Sequence, residues 1–227
     1  MKTLSNVLAS SAVAVATIYF GGVAQAATLS GGSFTKSPQT TEINQTGSLG
    51  KFDPNLGTLT SVAFSFTGQY RQQFTVTNRA STTQNNVRVI TSTDIFASLV
   101  GGPALSPNSL SFAVDTGRQT YTAGQTRSFG PFTDSKSFLT TFTSPATLAF
   151  FTGLGTFDVN CISLSSTTIS GGGGNINTTQ NTTAACGASI EYTYTPAPTP
   201  PVGTPEPGTV LGLLAVAGVG TFARREG

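Results

Sequence analysis

The feature that most restricts the fold of this chain is a period-two alternation of apolar and polar side chains through its middle. Val62, Phe64 and Phe66 alternate with Ser61, Ala63 and Ser65. Tyr70, Gln72, Phe74 and Val76 then alternate with Arg71, Gln73, Thr75 and Thr77. Successive side chains of a strand point to opposite faces, so this pattern describes half-buried β-structure. Gly68-Gln69 between the two runs is expected to turn one back on the other as a hairpin with a single apolar face. Further strands are expected over residues 87–95, 110–114, 138–142, 148–151, 157–161 and 190–194. No stretch between Ala27 and Thr195 carries a sustained 3.6-residue apolar period with caps. Strands at this spacing, divided by Gly, Pro, Asn and Asp, give an all-β expectation: an antiparallel β-sandwich, with jelly-roll and immunoglobulin-like topologies both open.

Composition narrows the function classes. Only 9% of the 227 residues are charged, against about 25% in an average soluble protein. Thr, Ser, Gly, Asn and Gln fill the deficit, while sixteen Phe supply material for a core. The formal charge is +2 and the central segment has no basic cluster, which argues against nucleic acid as a partner. The chain has no His, so it lacks the commonest general base near neutral pH and the commonest metal ligand.

Both ends read as addressing segments. Lys2 precedes an apolar run from Val7 to Phe20, followed by Gly21-Gly22 and Ala24-Gln25-Ala26. A positive start, a short apolar stretch and a small-x-small site form a secretory signal peptide, here residues 1–26 as a signal helix. Signal peptidase is expected to cut between Ala26 and Ala27, with Ala24 as the other small residue of the site. At the other end, Pro205-Glu206-Pro207 precedes fifteen uncharged residues, Thr209 to Ala223, and then Arg224-Arg225. As a helix that stretch spans about 22 Å at 1.5 Å per residue, less than the roughly 30 Å hydrocarbon core of a bilayer. The arginines are expected to stay cytoplasmic and the bulk of the protein outside. Residues 196–204, rich in Pro and Thr, form an extended stalk between this tail and the β domain at 27–195.

Residues 205–227 resemble the PEP-CTERM sorting signal: a Pro-Glu-Pro motif, an apolar helix and terminal arginines, in that order. The resemblance implies processing by an exosortase, an integral-membrane transpeptidase-like enzyme, near Pro205, Glu206 and Pro207. The tail would hold the substrate at a fixed depth in the membrane before being discarded, as in GPI processing. An uncleaved membrane anchor is the competing reading.

The clearest local motif of the middle is Phe52-Asp53-Pro54-Asn55-Leu56-Gly57. Asp-Pro-Asn is expected to start a type I turn, with the Asp53 side chain accepting from the backbone and Gly57 taking positive φ before a strand. This motif, the alternating segment after it, Ala149-Phe150-Phe151-Thr152-Gly153 and Tyr192-Thr193-Tyr194 are similar to the choice-of-anchor E domain. That family is named for its varied C-terminal anchoring signals, and many of its members are cyanobacterial. The resemblance implies a surface address and a β fold and carries no established activity. Residues 171–185, with four consecutive glycines and an Asn/Thr tract, read as a variable insertion within it.

Cys161 and Cys186 are the only cysteines. An even count in an exported chain favours a structural disulfide between them, worth about 3.5 kcal/mol by chain entropy. The seven carboxylates between the addressing segments, Glu42, Asp53, Asp94, Asp115, Asp134, Asp158 and Glu191, are scattered singly. They form no calcium-loop run. No catalytic, cofactor-binding or metal-ligating residue is therefore expected, and the first reading is a non-catalytic surface or extracellular-matrix component. Its expected partners are signal peptidase, exosortase, the membrane through the C-terminal helix, and exopolysaccharide. Tyr70, Tyr121, Tyr192 and Tyr194 are expected first as core or sheet-packing rings; a carbohydrate-binding module using whichever of them are exposed is the alternative. A polysaccharide hydrolase stands third, since it needs two carboxylates roughly 5–9.5 Å apart in an open cleft.

Overall fold

The structure, a computed structural model, describes residues 25–198. Within them two antiparallel sheets face one another as a β-sandwich. The first sheet has the order β1 (Ala27–Thr35), β10 (Ile176–Pro196), β4 (Gly57–Asn78) and β8 (Thr126–Phe142), with the short β2 (Gln39–Thr40) also beside β10. The second has the order β3 (Asn44–Gly50), β9 (Thr156–Ser170), β5 (Gln84–Leu99) and β6 (Ser109–Asp115), with β7 (Gln119–Tyr121) also paired to β5. One helix, α1 (Pro145–Phe151), joins β8 to β9. The pairings nest: β1 with β10, β3 with β9, β4 with β8 and β5 with β6. Early strands thus meet late ones, and the chain cannot close either sheet until its C-terminal half is in place. Among the described residues no helix is long and apolar enough to cross a membrane.

The alternation organises this architecture from β4 outward. Its even-numbered residues from Val62 to Asn78 are all buried, and its odd-numbered ones from Ser61 to Thr77 are partly or fully exposed. Val62, Phe64 and Phe66 enter the main core with Ile95, Phe112, Val159, Ile190 and Tyr192. Phe74 and Val76 enter a second cluster with Val87, Val89, Tyr121 and Ile176. Gln72 lies between them and is fully buried. Its Oε1 accepts from Thr91 Oγ1 of the facing sheet at 2.8 Å and from the Tyr70 hydroxyl. Removed from water, the two hydroxyls and Gln72 Oε1 satisfy one another, while Gln72 Nε2 has no hydrogen-bond partner among the described residues.

Two local expectations are corrected, and a third segment is placed in a sheet. Gly68-Gln69 is not a hairpin turn, because β4 runs unbroken for 22 residues. The buried parity is the same on both sides of Gly68, which a continuous strand preserves. The glycine serves packing: a Cβ there would lie 3.0 Å from Leu110 Cδ1 and 3.1 Å from Ile95 Cδ1 of the facing sheet. Residues 148–151 are not a strand but the end of α1. Ser144 caps it by accepting from Thr147 N, Pro145 sits in its first turn, and Leu148 and Phe151, three apart, share its buried face. Residues 171–185, read as a variable insertion, enter the first sheet rather than looping away from it. Gly172–Gly174 form a one-turn 3-10 connection and the Asn/Thr tract is the first half of β10, paired along β4 from Ile176↔Asn78 onward.

The Asp53 motif folds as read. Asp53 Oδ1 accepts from Asn55 N at 2.9 Å, Leu56 N donates to Asp53 O at 3.1 Å, and Gly57 has φ 147°. A Cβ at Gly57 would lie 2.1 Å from the Thr195 carbonyl oxygen. The turn therefore packs against the outgoing end of β10, where Ala197 N donates to Leu56 O at 3.0 Å.

Candidate functional site

The residues singled out at the termini divide at the limits of the described chain. Ala24, Pro205, Glu206, Pro207, Arg224 and Arg225 lie outside the described residues, as do most of the signal segment and the apolar tail. Ala26 is exposed, and β1 begins at Ala27. At the other end β10 continues through Pro196, one residue beyond the expected domain limit.

Cys161 and Cys186 are joined, with Cα atoms 6.6 Å apart. Both are buried. Cys161 belongs to β9 and Cys186 to β10, so the bond crosses the interior and ties one sheet to the other. Gln45 of β3, itself buried, places Oε1 3.6 Å from Cys186 Sγ and donates through Nε2 to the Ser37 carbonyl at 2.9 Å.

The tyrosines proposed as a platform are core residues. Tyr70, Tyr121 and Tyr192 are buried, and Tyr194 is half-buried against the main cluster. Tyr70 stacks on Phe112 with ring centroids 5.1 Å apart, and the Tyr192 hydroxyl donates to Gly50 O at 2.6 Å. Burial pushes the Tyr70 hydroxyl up to about 12, opposed by its hydrogen bond with Thr91. Burial raises Tyr192 further, and raises Tyr121 against the opposing pull of Arg127.

Most carboxylates are occupied locally. Asp53 caps its turn, Asp158 accepts from Ser48 Oγ at 2.6 Å, Asp134 accepts from Ser135 N, and Glu42 accepts from Ser165 N. Asp115 forms an exposed two-pronged pair with Arg88 and also accepts from Gly117 N. The guanidinium and that N–H hold its carboxyl down at about 2. Asp94 and Glu191 occupy separate sheets, on β5 and β10.

The concave feature lies elsewhere, on the outward face of the first sheet. One depression, ≈ 550 Å³, is bordered by Gln69, Arg71, Thr133, Ser135 and Thr183, with Pro38 at its rim. It adjoins a small one at Arg71, Gln73, Asn181 and Thr183. That one leads into a third, ≈ 310 Å³, bordered by Gln73, Thr75, Thr179, Asn181, Ser128 and Gly130. At the opposite end Gln69 is shared with a fourth, ≈ 230 Å³, beside Thr67, Thr35 and Ser189. The four depressions form one groove floored by the outward row of β4. The pairings Thr183↔Arg71 and Arg71↔Thr133 set three side chains abreast across it, and Asn181↔Gln73 sets two more one step along, where Gln73 has no partner on β8. Between Gln72 and Phe74 the β4–β8 ladder shifts register, and Gly130-Pro131 bulges there at the border.

Of the residues that line these depressions, the sequence pointed only to Tyr70, as a platform ring, and to Asp134, among the scattered carboxylates. The available cue was composition: the polar half of the alternation carries Gln69, Arg71, Gln73 and Thr75, and the tract opposite it carries Thr179, Asn181 and Thr183. That cue has meaning only once the tract is known to pair with β4.

No family model matches the chain, and no curated protein matches it. Solved structures give distant likenesses. An infectious bursal disease virus structure, Gx strain, is 13% identical over 76% of this chain and 37% of its own, with a TM-score of 0.21. The T13 viral particle of the same virus is 11% identical over 77% of this chain and 40% of its own, with a TM-score of 0.19. The chain therefore spans less than half of the viral chains it matches, and likenesses at this level carry no functional meaning.

Proposed function

We propose that this chain is a non-catalytic protein displayed outside the cell, exported by the signal segment 1–26 and sorted through the PEP-CTERM-type tail 205–227, where an exosortase cuts near Pro205-Glu206-Pro207. The observation that carries this reading is the disulfide between Cys161 and Cys186, placed in the core between the two sheets. Such bonds form and persist in oxidising compartments. The start of β1 at Ala27, directly after the expected cut, agrees with removal of the leader without loss of a strand. The nested strand pairs support a jelly-roll topology over an immunoglobulin-like one, since a jelly roll is one long antiparallel ribbon wrapped onto two sheets. Arg224-Arg225 and the short apolar tail hold the precursor in the membrane for processing. Membership of the choice-of-anchor E family is part of the same reading.

The test is cell fractionation with and without the exosortase, followed by mapping of both mature termini by mass spectrometry. The expected protein begins at Ala27 and lacks residues 210–222 when the enzyme is present. A cytosolic chain with its leader intact would refute export. Retention of the tail in normal cells would refute processing.

Carbohydrate binding is favoured as a second reading by the groove rather than by tyrosines. Its floor and sides present hydroxyl, carboxamide and guanidinium groups in register.

A further inference from the structure

We propose that the outward groove of the first sheet binds an extended acidic polysaccharide, with a carboxylate of the polymer paired to Arg71. Shape comes first. The groove follows β4 from Thr67 to Thr75, eight strand steps or about 27 Å at roughly 3.4 Å per residue. A channel of that length on an open face fits a linear polymer better than a compact metabolite, which pockets enclose on most sides.

Chemistry selects among polymers. β4 is hydrogen-bonded to β10 on one side and β8 on the other along the groove. Its backbone is thus already satisfied, and recognition falls to side chains. This argues against an extended peptide, whose usual mode is to add a strand at a free edge. The row offers hydroxyls and carboxamides from Gln69, Gln73, Asn181 and Thr183, able to donate to and accept from ligand hydroxyls. One cation cannot supply the multiple phosphate contacts that hold a nucleic acid, and the outward row of β4 from Thr67 to Thr75 carries no apolar side chain to anchor a lipid.

Charge then selects an acidic chain. Arg71 is exposed at the centre of the groove and has no ion-pair partner among the described residues. Asp134 is exposed and borders the same depression, but its carboxylate accepts from Ser135 N and forms no ion pair with Arg71. The guanidinium fork matches a carboxylate in two-pronged geometry. The proposal rests on extracellular display only for where the polymer is met; the groove itself is a property of the fold.

The experiment measures binding of the full-length chain, in mild non-ionic detergent, to polygalacturonate oligomers and to neutral dextran. Wild type is expected to bind polygalacturonate and to prefer it over dextran. Arg71→Gln should weaken that binding about tenfold, the range of one charge-assisted hydrogen-bonded contact. Thr183→Glu, which sets an anion beside Arg71, should weaken it at least as much. Arg71→Lys should keep much of it, and Arg88→Gln on the other sheet should change nothing. Thermal melts of the variants check that folding is intact. Equal affinity for dextran, unchanged affinity in Arg71→Gln, or no binding of polygalacturonate would each overturn the proposal. The export reading survives any of these, because it is decided by the mature termini.

Discussion

Opening the disulfide should cost this fold a large share of its stability. Cys161 and Cys186 are separated by 25 positions. The chain-entropy relation for a closed loop of that length gives about 3.5 kcal/mol at room temperature. Native stability totals roughly 5–15 kcal/mol, so loss of the bond removes a large fraction of it. The loop includes the distal half of β9, the glycine turn and the first half of β10, all of which must reach their places without the link. For a domain of this size each kcal/mol moves the melting temperature by about 2–4 °C, so the expected fall is about 7–14 °C. The assay is thermal unfolding followed by near-ultraviolet circular dichroism. Three samples are compared: oxidised chain, the same chain with reductant, and Cys161→Ala/Cys186→Ala. Reduction isolates the cross-link, whereas the double variant also removes two buried sulfurs, so it should melt at or slightly below the reduced sample. If oxidised and reduced chains melt within about 2 °C, the loop-closure reasoning fails. Equal thiol labelling before and after reduction would refute the bond itself.

Four further outcomes follow from local geometry. Gly68→Val sets methyl groups against Leu110 and Ile95, already 3.0 and 3.1 Å from the site of a Cβ, and should cost about 1–3 kcal/mol by overpacking, read from the urea midpoint at unchanged m-value. Gln72→Leu leaves the Tyr70 and Thr91 hydroxyls unpartnered by Gln72 and should cost about 1–3 kcal/mol; adding Thr91→Val should recover part of it. Asp115, held at about 2 by Arg88 and Gly117 N–H, should titrate nearer the ordinary carboxylate value in Arg88→Gln when followed by NMR. Because its folded value is depressed, the stability it contributes is present above the ordinary carboxylate value and is lost as pH falls through about 2. For Tyr70 the sign reverses. Folded Tyr70 keeps its proton to about 12 while the unfolded chain releases it near 10, so stability should fall as pH rises between those values, with ultraviolet tyrosinate absorbance appearing late and together with unfolding.

The parts legible in the sequence were those encoded locally. Alternation marked the core residues of β4, residues 87–95 were legible as a strand, and Asp53-Pro54-Asn55 with Gly57 specified a turn whose bonds are all within a few positions. The cysteine pairing followed from their number and the expected compartment. What escaped was non-local. Gly68 read as a turn because a glycine beside a polar residue has that meaning in isolation, whereas its role is set by Leu110 and Ile95 on another sheet. Residues 176–185 have few apolar side chains of their own, so their strand character comes from the ladder with β4. Leu148 and Phe151 fit a short strand or one helical turn equally well, and Ser144 with Pro145 decides the matter through capping. The groove was illegible for the same reason as the tract: Arg71, Thr133 and Thr183 are far apart in sequence and become neighbours only by register.

The same alternation bears on where function resides. On β4 every even-numbered side chain from Val62 onward is committed to the interior, including the polar ones, Gln72 and Asn78, which bond within it. On β10 Ala184, Cys186, Ala188, Ile190 and Tyr192 are committed likewise. Substituting any of these perturbs the fold before it perturbs an interaction. The odd-numbered row of β4 is free of that constraint, since a strand needs no Gln, Arg or Asn on its solvent face to be stable, and Thr alone would serve. Long carboxamides and a guanidinium there cost side-chain entropy when ordered, a cost that contact with a ligand would offset. A chain selected only to be an inert spacer has no use for Gln69, Arg71 and Gln73 in a row. Replacing all three by Thr should therefore leave the melting temperature within a few degrees of wild type while abolishing polygalacturonate binding, and a large loss of stability in that variant would show that the row belongs to the fold instead.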